Sequence, residues 1–302
     1  MLSLSGCQQE PRPAWQAAGL PEVAGRKVLQ SFPAVAYTYE LALGPCEKDR
    51  CPWAILLRNG KRLIDTFTLP VAASSGEASA EPVDSLWGAD AGLQAWSTGA
   101  EQNYVGAVAR LAKLGPSTDG LLVTQRAGFE TLKRSHLLLV REGEKLQRVW
   151  GAEEGQGPTW SATSLLPETG GSQSIAYWTG FLSDGVKEPD RVSIEKLTWD
   201  SSSKSTKASP LPDPSTPLFL TVVAAYPGVP QARYARASRG DCLANFFLLS
   251  SDAYAGLPKG KTVVAAIDVL QSRAEQAASA AKQCGVTSRI STIAAGSPAE
   301  KE

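Results

Sequence analysis

A ten-residue stretch occurs twice in this chain, and its recurrence ties the fold to β-hairpins. Ala54 to Leu63 lines up with Leu137 to Leu146 at an offset of 83 residues. Each copy has four apolar residues, an arginine, a turn carrying Gly60 or Gly143, and then a basic residue and a leucine. Asn59-Gly60 between apolar runs is a strong short-range hairpin signal. The offset continues to Phe67 opposite Trp150, and it sets Tyr37 to Gly44 against Gly120 to Ala127, both apolar and strand-like. Leu111, Lys113 and Leu114 then meet Ile194, Lys196 and Leu197. The spacing therefore predicts two copies of a four-strand unit, 34–116 and 117–200, within a β-rich domain over 26–200. Two such units suit a sandwich, or two neighbouring blades of a propeller-like stack. Tyr104 to Leu114 fits a short amphipathic helix equally well by spacing.

Composition narrows the function classes. Thirty Lys+Arg balance thirty Asp+Glu for a formal net charge of zero. Nucleic-acid binding draws on excess positive charge to release counterions from phosphates, so nucleic acid is not an expected partner. No run of eighteen apolar residues exists, so no helix is expected to span a bilayer. Seven of the eight tryptophans fall in the β-rich region: Trp53, Trp87, Trp96, Trp150, Trp160, Trp178 and Trp199. They read as core and rim packing first and as an aromatic platform for a glycan or peptide second. The sole histidine, His136, sits in the apolar run Ser135-His136-Leu137-Leu138-Leu139-Val140 and reads as a residue at a strand edge. A Ser-His-Asp triad would have to use it. With one histidine and no paired cysteine spacing of the zinc-ribbon kind, no metal and no cofactor is expected.

Five cysteines remain to be explained. Leu4-Ser5-Gly6-Cys7 resembles the lipobox of bacterial lipoproteins, and the resemblance implies lipidation at Cys7. Six residues precede Cys7 and none is Lys or Arg, which is shorter than a working signal peptide and implies a start upstream or a trimmed sequence. Gln8 to about Gly25 is rich in Gln, Pro and Ala and suits a tether over 8–25. The other four cysteines sort into two local pairs, Cys46 with Cys51 and Cys242 with Cys284, as an oxidising compartment favours. Lipoproteins of this kind are membrane-anchored. In some of these lipoproteins an Asp after the cysteine resembles an inner-membrane retention signal; Gln8 stands there, so the resemblance implies the outer membrane and the periplasm.

The run Ser201-Ser202-Ser203-Lys204-Ser205-Thr206-Lys207-Ala208-Ser209-Pro210, followed by Pro212 and Pro214, reads as a linker over 201–215. Beyond it the pattern is strand (Leu218 to Ala225), helix (Pro230 to Ser238), strand (Cys242 to Leu249), strand (Thr262 to Val269), helix (Leu270 to Gln283) and strand (Val286 to Ile293). That order is a split, ferredoxin-like β-α-β-β-α-β layout. The stretch Ser251 to Val264, with Ser272-Arg273-Ala274-Glu275-Gln276-Ala277 after it, resembles the sporulation-related repeat (SPOR) module, placed at 216–302. Members of that family bind peptidoglycan strands stripped of their stem peptides. The resemblance implies a glycan surface on the central strands, at Phe246 and Phe247. Ala265-Ala266-Ile267-Asp268 stands where the family usually places a glycine.

Two short motifs carry nothing further. Gly260-Lys261-Thr262 lacks the glycine spacing of a phosphate-binding loop and precedes a strand, and Arg239-Gly240-Asp241 reads as a loop. The expected fold is thus mainly β, a duplicated four-strand body followed by a small α/β module. The expected function is a non-catalytic envelope lipoprotein that binds or scaffolds, attached to peptidoglycan through the C-terminal module. The alternatives are a subunit of a multi-protein envelope assembly and a carboxylate-dependent glycan hydrolase. The hydrolase would draw on Asp184, Glu188 and Asp190, which read equally as a solvated turn.

Overall fold

The computed structural model describes residues 21–44, 50–74, 81–83, 95–98, 105–127, 133–153, 160–183, 188–243, 246–254 and 256–294. They are mainly β and form four antiparallel sheets.

The first sheet is a meander of β1 (Glu22–Val23), β2 (Arg26–Pro33), β3 (Thr38–Leu43), β4 (Arg50–Asn59) and β5 (Arg62–Ser74), hydrogen-bonded in that order. In β4, Trp53 to Leu57 are all buried, as expected of an interior strand covered on both faces. Val28, Ala42, Ala54 and Leu56 form a core cluster on one face, joined by Val23 and Leu63. The second sheet contains β6 (Glu81–Val83), β7 (Ala95–Thr98), β8 (Val105–Gly115), β9 (Thr118–Ala127), β10 (Lys133–Glu142) and β11 (Lys145–Glu153). The segment from Val105 is a strand and not a helix: it hydrogen-bonds between β7 and β9, and Val105 to Arg110 are buried without interruption, on both faces.

The duplication is visible in the strands, with a corrected phase. At the offset of 83, the β2 segment falls on β8, β3 on β9, β4 on β10 and β5 on β11. The repeat therefore occupies 26–74 and 105–153, in place of 34–116 and 117–200. Strand β8 opens the second copy, although the sequence match set it at the end of the first. The apolar pattern alone could not tell which hairpin a flanking strand joins, since that depends on hydrogen-bonded pairing.

The third sheet is β12 (Trp160–Pro167), β13 (Gln173–Phe181), β14 (Arg191–Asp200) and β15 (Ser205–Pro210), again a simple meander. The segment expected as a linker is here a hairpin. Asp200 faces Ser205 and Glu195 faces Pro210 across β14 and β15. Asp200 Oδ1 accepts from Ser202 N (2.9 Å), Ser202 Oγ (2.6 Å) and Ser203 N (3.4 Å), and Lys207 pairs with the same carboxylate. Serines beside an aspartate satisfy turn backbone locally, so the composition that suggests a flexible linker builds a tight turn. Those hydrogen bonds hold the Asp200 carboxyl well below the usual range. At the other end of the chain, residues 22–25 belong to the fold and not to the tether, because β1 pairs with β2.

The fourth sheet carries β16 (Leu218–Tyr226), α1 (Val229–Ala237), β17 (Phe247–Ser250), β18 (Thr262–Asp268), α2 (Gln271–Gln283) and β19 (Arg289–Ile293). Its strand order is β17-β18-β16-β19, with every pairing antiparallel. The strand expected from Cys242 is shortened to Phe247–Ser250, and Gly240–Leu243 form a 3-10 turn instead. Gly285, at φ 71°, ends α2 as a left-handed residue that glycine adopts without penalty.

By proximity the chain divides into two compact units. One is Met1–Leu111, Leu121–Ser135 and Leu139–Arg148; the other is Ala112–Gly120, His136–Leu138 and Val149–Glu302. The second holds a core shared by the third and fourth sheets. Leu166, Ala176, Trp178 and Ile194 pack with Leu218, Leu220, Val222, Phe247, Leu249, Val263 and Ile293. A separate cluster, Val229, Ala232, Leu243, Phe246, Leu248, Val264 and Ala281, fills the space between the fourth sheet and its helices.

Candidate functional site

Of the expected site residues, Cys7 and Cys46 lie outside the described residues, and Cys51 is placed only as part of β4. Cys242 and Cys284 form a disulfide with Cα atoms 6.0 Å apart. It joins the 3-10 turn after α1 to the residue that caps α2, 42 residues away in sequence. In the chain-entropy account a bridge of that span contributes about 3 to 4 kcal/mol.

Phe246 and Phe247 require a correction. They are 3% and 6% exposed, on opposite sides of the fourth sheet. Phe246 lies in the helix-side cluster, and Phe247 meets Trp160 edge-on with ring centroids 5.0 Å apart. Gly180 makes room for that contact, since a Cβ there would come within 3.2 Å of the Trp160 ring. The face expected to hold sugar is covered by the third sheet, so neither phenylalanine presents a surface to a ligand.

His136 is likewise internal. Strand β10 lies between β9 and β11, and the ring is 1% exposed. Its Nε2 is 2.9 Å from Ser161 Oγ, and its ring lies edge-on to Tyr177 at 5.6 Å. A serine and a histidine at this distance have the spacing of a nucleophile and its base. Ser161 is as buried as the histidine, so no carbonyl can reach the hydroxyl, and the contact satisfies two buried polar groups. The sequence offered no sign of Ser161, because its partner lies 25 residues away on another strand.

The acidic turn separates into unlike parts. Asp184 lies outside the described residues, and Glu188 is exposed. Asp190 is buried, against the solvated reading: its Oδ1 accepts from Ser183 N at 3.0 Å and its Oδ2 from Leu248 N at 2.8 Å, with Arg236 at 3.3 Å. Its own N–H donates to Leu248 O at 2.7 Å. Asp190 thus fastens the outer edge of β17 to the third sheet, and its carboxylate is fully engaged. Arg236 also donates to Phe246 O at 3.0 Å, and the neighbouring Arg233 donates to Ser183 O at 2.6 Å.

A second buried ion group centres on Lys196 of β14. Its Nζ lies 2.7 Å from Glu168 Oε1 and 3.7 Å from Asp213 Oδ2, and it donates to Ser215 and Thr216 hydroxyls at 3.3 Å each. Burial raises the Glu168 carboxyl, but hydrogen bonds from Lys196 and Ser174 outweigh it and hold the group below the ordinary range. Burial likewise opposes Asp213, which Ser215 and the Lys196 charge bring down. Lys196 pins the crossover 211–217 to the third sheet.

Among the described residues no group of three His, Cys, Asp or Glu side chains could hold a metal ion, and no helix is long and apolar enough to cross a membrane. The Asp190, His136–Ser161 and Lys196 groups each join strands to each other or to neighbouring segments. No family model, no curated protein and no solved structure matches the chain.

Proposed function

We propose that this protein is a lipid-anchored component of the bacterial cell envelope whose folded part binds or scaffolds and does not catalyse. The observation that carries the reading is the Cys242–Cys284 disulfide, since such bridges persist in oxidising compartments and are rare in the cytosol. The Leu4-Ser5-Gly6-Cys7 lipobox supports a membrane anchor at Cys7, with the outer membrane and a periplasm-facing body as its setting. The β-α-β-β-α-β order and antiparallel strand order of 216–302 support the ferredoxin-like, SPOR-like reading of that module. Wall attachment through Phe246 and Phe247 is not part of the proposal, because both are buried.

A second reading, a subunit of a multi-protein envelope assembly, gains from the same burial. The module's sheet face is spent on the third sheet, so partners would be met by the surface of the joined body. A glycan hydrolase gains nothing, as Asp190 is committed to Arg236, Ser183 and Leu248.

The test is metabolic labelling with radioactive palmitate, comparing wild type with Cys7→Ser. Label lost in the variant, together with a thiol-dependent mobility shift reporting the Cys242–Cys284 bridge, is the expected result. An unlabelled wild-type chain carrying free thiols at 242 and 284 would end the envelope reading. Cross-linking in intact cells then separates a scaffold with fixed partners from a protein without them.

A further inference from the structure

We infer that β19 is a dimerisation edge, and that its partner is β19 of a second copy of this chain, antiparallel across a two-fold axis. The strand closes one side of the fourth sheet. It pairs there with β16 alone, in unbroken register from Leu218 opposite Ile293 to Val222 opposite Arg289. Beyond that ladder, Arg289 to Ile293 make no hydrogen bond or ion pair among the described residues. Alternate residues of an antiparallel strand aim their N–H and C=O groups away from the neighbour they pair with. A row of main-chain donors and acceptors therefore faces outward here.

Natural sheets blunt such edges with lysine, proline, very short strands or a covering segment. Other outer strands of this chain carry those devices. Strand β6 has three residues and Pro82, β15 has Lys207 and Pro210, and on β11 the Leu146 N–H donates to Asp65 Oδ2 at 2.7 Å. At the far edge of the fourth sheet, Asp190 takes up both the N–H and the C=O of Leu248. Strand β19 has no proline, lysine or bulge, and its one charge stands at the first residue. Arg289 and Thr292 are exposed, and Ile290 is 38% exposed. The edge is open.

The unmet groups are amides and carbonyls at strand spacing, which an extended polypeptide matches. Asp190 closes β17, so copies cannot join β19 to β17 into an open-ended filament. Joining β19 to β19 is the closed, two-fold alternative. An axis at Ser291 sets outward residues opposite outward residues, because positions equally far before and after it belong to the same alternate set. Ile293 faces the core shared with the third sheet, so Ile290 and Thr292 lie on the helix side. There Ile290 meets Thr292 of the second copy, a β-branched pair of the kind that stabilises sheets. The two Arg289 side chains fall at opposite ends, about 13 Å apart along the strand, whereas in-register parallel pairing would set them side by side. The assignment rests on this edge and does not need the anchor at Cys7.

The experiment is sedimentation equilibrium of the full chain with Cys7→Ser over a range of concentrations. Reversible association to the mass of two chains is expected. Ile290→Lys sets two lysines diagonally across the axis and should weaken that association about tenfold, with circular dichroism and a cooperative thermal transition retained. Ser291→Cys, at the axis, should form a covalent dimer with oxidised glutathione as the oxidant. Ser279→Cys, exposed on α2, should not, and neither should the parent. A chain that stays monomeric at every concentration overturns the assignment and leaves the edge to a strand of another protein. A dimer that Ile290→Lys leaves intact and Ser291→Cys does not cross-link overturns it too, by placing the interface elsewhere. If Ile290→Lys does not fold, the Ser291→Cys cross-link decides.

Discussion

Arg58 and Arg141 hold the same place in the two copies of the repeat, two residues before the turn glycine. Each donates to that glycine's carbonyl, Arg58 to Gly60 at 3.0 Å and Arg141 to Gly143 at 2.8 Å. Both glycines have positive φ, 55° and 61°, at the first turn position. There the likeness ends. Arg58 forms a 2.8 Å ion pair with Glu40 of β3, whereas the residue 83 positions after Glu40 is Val123. Arg141 instead lies over the Tyr37 ring, 4.0 Å from its centroid. The turn is a property of the ten residues that build it; the arginine's second partner is decided by a strand elsewhere in the chain. The β14–β15 hairpin extends the contrast. It has no turn glycine, uses Asp200 and its serines, and depends on Lys196 and on the crossover that follows it.

If that contrast is right, substitutions that remove distant partners should cost far more than substitutions in the turns. The largest effect is expected from Asp190→Ala, which leaves the buried Leu248 N without its acceptor and removes one of Arg236's two partners. Loss of one partner from a buried pair costs about 3 to 5 kcal/mol, read as a lower urea midpoint. Lys196→Met should cost about 3 kcal/mol and should change the acid response. Glu168 and Asp213 have lowered folded pKa values, so their stabilising contribution is complete above their unfolded values, about 4 to 4.5. It is lost as pH falls through the lowered folded values. Wild type should therefore lose stability as pH falls below about 4.5, and the variant should show a flatter profile.

Next come the two arginines. Arg58→Leu removes a charge-assisted bond and should cost about 2 kcal/mol; Arg141→Leu removes a cation–π contact and should cost about 1 kcal/mol. Equal losses would mean that the Glu40 ion pair adds no more than the Tyr37 cation–π contact. The smallest effects belong to Gly60→Ala and Gly143→Ala. Neither added Cβ meets an atom within 4 Å, so only the left-handed backbone is penalised, by about 1 kcal/mol in each copy. Unequal midpoint shifts would show that the two turns are not interchangeable.

How much of this was legible follows the same division. The hairpins could be read from Asn59-Gly60 and Gly143 between apolar runs, and the 83-residue period set β2 through β5 on β8 through β11. The helices at 229–237 and 271–283 followed from local spacing and from Gly285. The phase of the repeat was not legible, because β8 matches β14 in apolar pattern yet hydrogen-bonds in a different sheet. Ser201 to Pro210 reads as linker or as hairpin until Asp200 is seen capping the turn. The residues expected to form the site failed for a further reason: aromatic character does not say which face of a sheet remains open. Phe246 and Phe247 are sealed by the helices and the third sheet, while Phe181, which nothing in its neighbourhood singled out, is left half-exposed beside Arg191.

The sequence by itself determined the mainly β class, the duplicated hairpin, the turn glycines and the α/β order of the C-terminal module. These depend on periodicity and backbone preference within about ten residues of each position. Tertiary structure alone decided that 211–217 is a pinned crossover, that Asp190 is an internal clasp and that one face of the fourth sheet is core. Each of these rests on partners tens of residues apart, brought together only when the sheets pack and water leaves the space between them.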